Sequence, residues 1–394
     1  LNKGDVLVKM GWEGSDAVSI EGSGPEEISE LLDQSNSTHL NLTVRKANGT
    51  EKTVSLNKEK IKNEENAVKG FILKGENRIG YIYLPDFYTA YNGSTGSCAN
   101  DVAKEIVKLK KENIEGLILD LRFNGGGSLQ EALDMAGIFI DDGPLCIIRG
   151  KNGKPVTLKD ANKGTIYDGP MTLLVNSQSA SASELLSAVM QDYNRAVILG
   201  CTTYGKGTAQ VIMPVDTTGS TNNVQEFGYV KVTTSKFYRV NGKTTQNTGV
   251  VPDIVFPDLF DGLHYHESAS ASALLADTVK RNGYYKPLPA LPLSGLAAKS
   301  KLRIAGNKDF QSIRLFSRIL GDSSIKVKPD LDLKLLKSAK YEAMSNAFDK
   351  NMLSADPYYS EANNGWIEKL DRDVYIEESY NILHDLIFQK IPDQ

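Results

Sequence analysis

Apolar and polar positions divide the chain into three textures. Over residues 1–58 they alternate in short runs: "DVLVKM" reads as a strand and "GPEEISELLDQ" as a helix with Pro25 in its first turn. "HLNLTVRKANGTEKTVSLN" reads as two alternating strands about an Asn-Gly turn. A unit this small forms only a marginal core. The charged stretch "KEKIKNEENAVK" follows, with a linker at 59–69.

From about 70 to 258, strands alternate with helices. "RIGYIYLPDFY" is a strand and "DVAKEIVKLKKEN" an amphipathic helix, while "EGLILDL" and "GPMTLLVN" carry almost no polar positions, as strands buried on both faces do. "NGGGS" opens the helix "LQEALDMAGIFI", and "SELLSAVMQDY" places Leu185, Leu186, Val189, Met190 and Tyr193 on one helical face. "RAVILG" is a third buried strand, Asn241-Gly242 marks a hairpin, and "GVVPDIVFP" closes the segment. This alternation predicts an α/β domain. Beyond Pro257 the chain is polar, then mainly helical over 259–394. Helices are expected at "DFQSIRLFSRIL", "LDLKLLKSAKYEAMSNAF" and "DVYIEESYNILHDLIFQ".

Composition changes this picture little. At 394 residues, two or three domains are expected. With 40% hydrophobic residues, 24% charged residues and a net charge of -4, the chain is an ordinary globular one. Lys and Arg are interspersed with Asp and Glu, which argues against a nucleic-acid surface. No apolar run approaches the roughly 20 residues that span a bilayer, and no signal segment opens the chain, so membrane insertion is not expected. The start without Met leads us to expect residues upstream. Cys98, Cys146 and Cys201 are too few and too scattered for a disulfide framework or a CxxC metal site.

Candidate chemistry begins with "SASAS", which occurs twice. The first copy follows a buried strand and opens a helix, where unpaired N–H groups and positive potential favour the oxyanion formed when a hydroxyl attacks a carbonyl. The same residues, Ser181 to Glu184, also spell a capping box, and Ser179 and Ser183 are not excluded by spacing. "YGKGTAQ" sets Lys206 between two glycines, which marks either a solvated glycine turn or a lysine that must approach another backbone closely. A neutral lysine can serve a serine as general base, although water strongly disfavours that form at pH 7. "DLRFNGGGSLQEA" fits neither nucleotide-binding fingerprint. Its glycines make either a flexible turn or an N–H donor for an oxyanion, and Asp120 at the strand end is a catalytic candidate that reads more readily as a local ion pair with Arg122. The second copy, with Ser268, Ser270 and Ser272, has neither a preceding buried strand nor a following Gly-Lys-Gly. His264, His266 and Glu267 in "HYHE" lack a third histidine or a cysteine partner, so no metal site is expected. His39 and His384 read as packing or surface residues.

Taken together, "RFNGGGSLQEA", "SASASELLSAVMQDY", "YGKGTAQ" and "FYRVNGKTTQNTGVVPDI" resemble the C-terminal processing peptidases of the S41 type, and specifically the long bacterial tail-specific proteases. The resemblance implies a crotonase- or ClpP-like α/β protease core over 59–258. It implies a partial PDZ domain over 1–58 and a helical C-terminal domain. The nucleophile would be Ser181, the base Lys206 and its positioning glutamine Gln210. The oxyanion donors would be the N–H of Ala182 and that of Gly126 or Gly127. Cys201, Tyr204 and Phe123 depart from the family pattern without touching this set. The resemblance further implies no cofactor, protein substrates with nonpolar C-terminal tails, an adaptor protein, and a cell-envelope, periplasmic location. The competing readings are a crotonase-like acyl-CoA enzyme and a non-catalytic peptide-binding scaffold.

Overall fold

The structure, a computed structural model, describes residues 4–33, 37–46, 48–57, 67–89, 96–160, 163–215, 228–261, 263, 265–322, 338, 340–346 and 357–388. The chain divides into two compact units, Leu1–Glu65 and Asn66–Gln394.

The first unit holds strands β1 (Val6–Trp12), β2 (Val18–Ser19), β3 (His39–Arg45) and β4 (Glu51–Asn57) with one helix, α1 (Pro25–Asp33). They form a four-stranded sheet in the order β2-β1-β3-β4, in which β1 pairs antiparallel with both β2 and β3, and β3 with β4. Met10, Ile20 and Leu42 make its small core, and Ile28, Leu31 and Leu32 of α1 pack against it. That follows from period-2 strands facing one amphipathic helix.

The second unit starts with β5 (Lys69–Gly75), β6 (Arg78–Tyr83), α2 (Cys98–Lys111), β7 (Gly116–Asp120) and α3 (Leu129–Gly137). It continues through β8 (Pro144–Gly150), β9 (Val156–Lys159), β10 (Met171–Val175), α4 (Ala182–Asp192), β11 (Val197–Gly200), β12 (Thr208–Pro214), β13 (Tyr229–Tyr238) and β14 (Ile254–Val255). Helices α5 (Leu293–Gly306) and α6 (Lys308–Gly321), strand β15 (Tyr341–Ser345), and helices α7 (Pro357–Asp371) and α8 (Val374–Phe388) close it.

A seven-stranded sheet runs in the order β14-β11-β10-β7-β6-β5-β15, with β14 to β6 mutually parallel and β5 and β15 antiparallel additions. The buried strands lack polar positions because both faces are covered. Leu117, Leu119, Leu173, Val175 and Ile198 face the cluster built with α2, α3 and α4. Their neighbours Ile118, Leu174, Val197 and Leu199 face the cluster built with α5, α6 and α8. A second, antiparallel sheet has the order β12-β13-β8-β9.

One expectation fails here. Within the helix expected over 331–348, the described residues form the strand β15, paired antiparallel with β5. Tyr341, Ala343 and Ser345 are buried in alternation, and that edge pairing overrides the helical periodicity of the flanking sequence. The remainder of that stretch, 331–337 and 347–348, lies outside the described residues, as does residue 339. The C-terminal region thus contributes a strand to the core sheet as well as helices.

Candidate active site

Strands β7 and β10 are parallel neighbours and end side by side, so the turns that follow them meet. The turn after β7 carries the glycines and the turn after β10 carries Ser181. Asn124 joins them: its carbonyl accepts the N–H of Ala180 at 3.0 Å and Ser183 Oγ at 2.9 Å. Its side chain donates to Leu84 O and accepts the N–H of Gly126, each at 2.9 Å. A Cβ on Gly126 would lie 2.8 Å from Ala180 O and from Ser181 Cβ, and 3.0 Å from Ala182 N. Only glycine permits this approach.

The three serines of the first copy divide by partner. Ser179 is fully buried, its hydroxyl donating to Leu121 O at 2.8 Å, and Ser183 is committed to Asn124. Ser181 faces a pocket of about 390 Å³ together with Ala182, Gly127, Lys206 and Gln210. It stands at φ 58° and ψ -112°, a conformation that non-glycine residues adopt only under restraint. Such strain is a known feature of sharp strand-to-helix turns that expose a serine.

Lys206 enters from the loop between β11 and β12. A Cβ on the following Gly207 would come within 2.6 Å of Gln246 N and 2.7 Å of Thr244 Oγ1, which explains one of the flanking glycines. Lys206 Nζ donates to Gln210 Oε1 at 3.2 Å, and Gln210 Nε2 donates to Thr233 Oγ1 at 3.2 Å. Gln210 is thereby oriented from β13.

The residue that ties these parts together is Glu184, which the sequence indicated only as a helix cap. Its Oε2 accepts the N–H of Ser181 and of Lys206, each at 2.8 Å. Its Oε1 accepts Thr203 Oγ1 at 2.6 Å and the N–H of Gly205 at 2.7 Å. Burial pushes the Glu184 carboxyl up to about 7, while these four donors pull the other way. The capping-box pattern Ser-x-x-Glu was the available signal for this residue. Its contacts to the Lys206 loop had none.

A second cleft of about 620 Å³ shares Gly125 and Lys206 with the first and is lined by Tyr204, Phe260, Leu263 and Tyr265. The second "SASAS" starts beside it: Glu267 donates its N–H to Tyr204 O at 3.1 Å, and Ser270 and Ser272 are exposed and bonded to each other. His266 stacks on Tyr265 with ring centroids 5.4 Å apart, and His264 lies outside the described residues. Among the described residues no cluster of three metal-ligating side chains occurs, and no helix is long and apolar enough to cross a membrane.

Residues 78–256 match the family described as Peptidase family S41. The chain is 34% identical over 287 residues to the tail-specific protease of Haemophilus influenzae, covering 72% of this chain and 40% of that protein. It is 30% identical over 253 residues to the carboxy-terminal-processing protease of Bartonella bacilliformis, covering 64% of this chain and 54% of that one. Among solved structures, the photosystem II D1 C-terminal processing protease aligns with a TM-score of 0.42 at 24% identity, over 65% of this chain and 64% of that one. The chain spans about half the length of the curated relatives it matches. Through residues 78–256 it belongs to peptidase family S41.

Proposed function

We propose that the chain is a serine endopeptidase in which Ser181 and Lys206 form a catalytic dyad. One observation carries this reading: a single buried carboxylate, Glu184, holds the backbone of both residues, and both face one pocket. Ser181 Oγ attacks the scissile carbonyl carbon while neutral Lys206 Nζ, oriented by Gln210, removes the hydroxyl proton. The tetrahedral oxyanion receives the N–H of Ala182, the first residue of α4, and that of Gly127. Of the two glycines expected from the sequence, Gly126 already spends its N–H on Asn124 Oδ1, which favours Gly127. Collapse of the intermediate breaks the C–N bond, and the proton on Lys206 passes to the leaving amine. Water, deprotonated by Lys206, then hydrolyses the Ser181 ester and restores both side chains.

The sheet and helix of the first unit fit the latter part of a PDZ domain, a module that captures C-terminal peptides by strand addition. With the family membership this supports substrates presented by nonpolar C-terminal tails, an adaptor protein as partner, and action in the cell envelope. Incubating the protein and its Ser181→Ala form with an unfolded protein substrate tests the reading. Cleavage by the parent alone supports it. Equal cleavage by both removes Ser181 from the reaction, and tail binding without cleavage by either favours a peptide-binding scaffold.

A further inference from the structure

Arg122 lies two residues before Asn124, and its guanidinium is shared between two carboxylates. Its Nε donates to both oxygens of Asp120 at 3.0 Å, and its Nη2 to Asp120 Oδ2 at 2.6 Å. It also forks onto Asp373, 251 positions further along, with Nη2 to Oδ2 at 2.8 Å and Nη1 to Oδ1 at 3.2 Å. The cluster is largely withdrawn from water: the side chains of Arg122, Asp120 and Asp373 are 12%, 1% and 17% exposed. Tyr81 donates its hydroxyl to Asp120 at 2.8 Å, and the Tyr375 ring centroid lies 5.3 Å from the guanidinium carbon. Asp373 has a second task, since its Oδ1 accepts the N–H of Tyr375 at 2.9 Å and of Ile376 at 3.2 Å and so caps α8.

Asp120 alone would neutralise the charge of Arg122 locally, leaving Nη1 to Asp373. The second carboxylate adds little net stability, because desolvation of buried ions offsets most of the attraction. What it adds is direction. Between Arg122 and Asn124 stands Phe123 at φ 63°, a conformation that persists only where its neighbours are held. Downstream, Asn124 fixes the glycine turn against the Ser181 turn; upstream, the strand end is held from α8 through Arg122.

We propose that Asp373 is a positioning residue for the peptidase reaction: by fixing Arg122 it holds the 122–127 turn where its glycine N–H meets the oxyanion. The inference rests on the reading of Ser181 as nucleophile. It places part of the active-site support in the C-terminal helical region, outside the segment 78–256 that matches the family.

Asp373→Ser separates the two tasks of the side chain, keeping a capping oxygen for α8 while releasing the guanidinium. In the full chain, with a peptide substrate, kcat is expected to fall by about tenfold to a hundredfold with KM changed by less than about twofold. Inhibition by the corresponding peptide aldehyde, whose hemiacetal oxygen occupies the oxyanion site, is expected to weaken by the same factor as kcat. Asp373→Glu, which keeps the charge, is expected to recover most of the rate. A folded Asp373→Ser protein with parental kcat, a loss confined to KM, or unaltered aldehyde inhibition would overturn the proposal. Should that variant fail to fold, the isosteric Asp373→Asn is judged by the same ratios. Ser181→Ala run in parallel distinguishes the two levels: if it still cleaves, the peptidase reading falls, whereas inactive Ser181→Ala beside a silent Asp373→Ser removes the positioning role alone.

Discussion

The N–H of Lys206 ends on Oε2 of Glu184 at 2.8 Å, so the loop carrying the proposed base is hung on the helix that the proposed nucleophile begins. The pair spans 22 positions of sequence and is withdrawn from solvent on the Glu184 side. Several consequences can be measured.

Glu184→Gln keeps the shape but replaces one acceptor oxygen with an NH2 group that faces N–H donors. Two of the four donors lose their partner, at about 1–3 kcal/mol of stability. Displacement of Ser181 and Lys206 by about an ångström is expected to lower kcat by about a hundredfold. Denaturant titration and steady-state kinetics on the same preparation check both. A variant with parental kcat would show that this carboxylate does not align the pair.

The same group makes stability and activity move in opposite directions with pH. Burial raises the Glu184 carboxyl from its ordinary 4.5 to about 7, so between those values the folded protein holds a proton that the unfolded chain releases. Its contribution to stability is therefore complete below about pH 4.5 and is lost as pH rises to about 7, a change of about 3 kcal/mol. Activity needs the ionised form, which alone accepts all four donors, and is expected to rise through about pH 7. Denaturation free energies and cleavage rates from pH 4 to 8, compared with Glu184→Gln, test this; a parental slope retained in the variant would assign the dependence to another group.

Ser181 at φ 58° carries a Cβ where glycine would carry none. Ser181→Gly is expected to be more stable than Ser181→Ala by about 1 kcal/mol, while both are inactive. Thermal denaturation of the two decides it, and equal midpoints would mean that the turn is not strained. Ser270→Ala, on the exposed second copy, is expected to leave both properties at parental values.

Lys206→Arg is expected to be as inactive as Lys206→Ala, since a guanidinium keeps its proton at any usable pH and cannot act as a base. Initial rates at pH 7 to 10 suffice, and an arginine variant that regained activity in this range would remove Lys206 from the base role.

The period-2 and 3.6-period patterns, the all-apolar runs of β7 and β10, the glycine turn before Ser128 and the Gly-Lys-Gly around Lys206 all lie within a few residues of what they determine. Backbone propensity and burial act locally, so these parts were legible in the sequence. The partners that set Ser179 and Ser183 apart from Ser181 were not. Their two hydroxyls are consumed by the carbonyls of Leu121 and Asn124, on a different strand-end turn. Likewise, the engagement of Gly126 with Asn124 depends on how one turn closes, and the reach of Arg122 to Asp373 across 251 positions leaves no periodic trace. Strand β15 was masked for the same reason: five residues with weak alternation take their state from the open edge of β5 and not from their own preference. Apart from β15, sequence determined the elements, and it determined the types of side chain that could react. Only the tertiary structure decided which of them meet, because hydrogen bonds between distant segments exist only once the sheet has set the strand ends side by side.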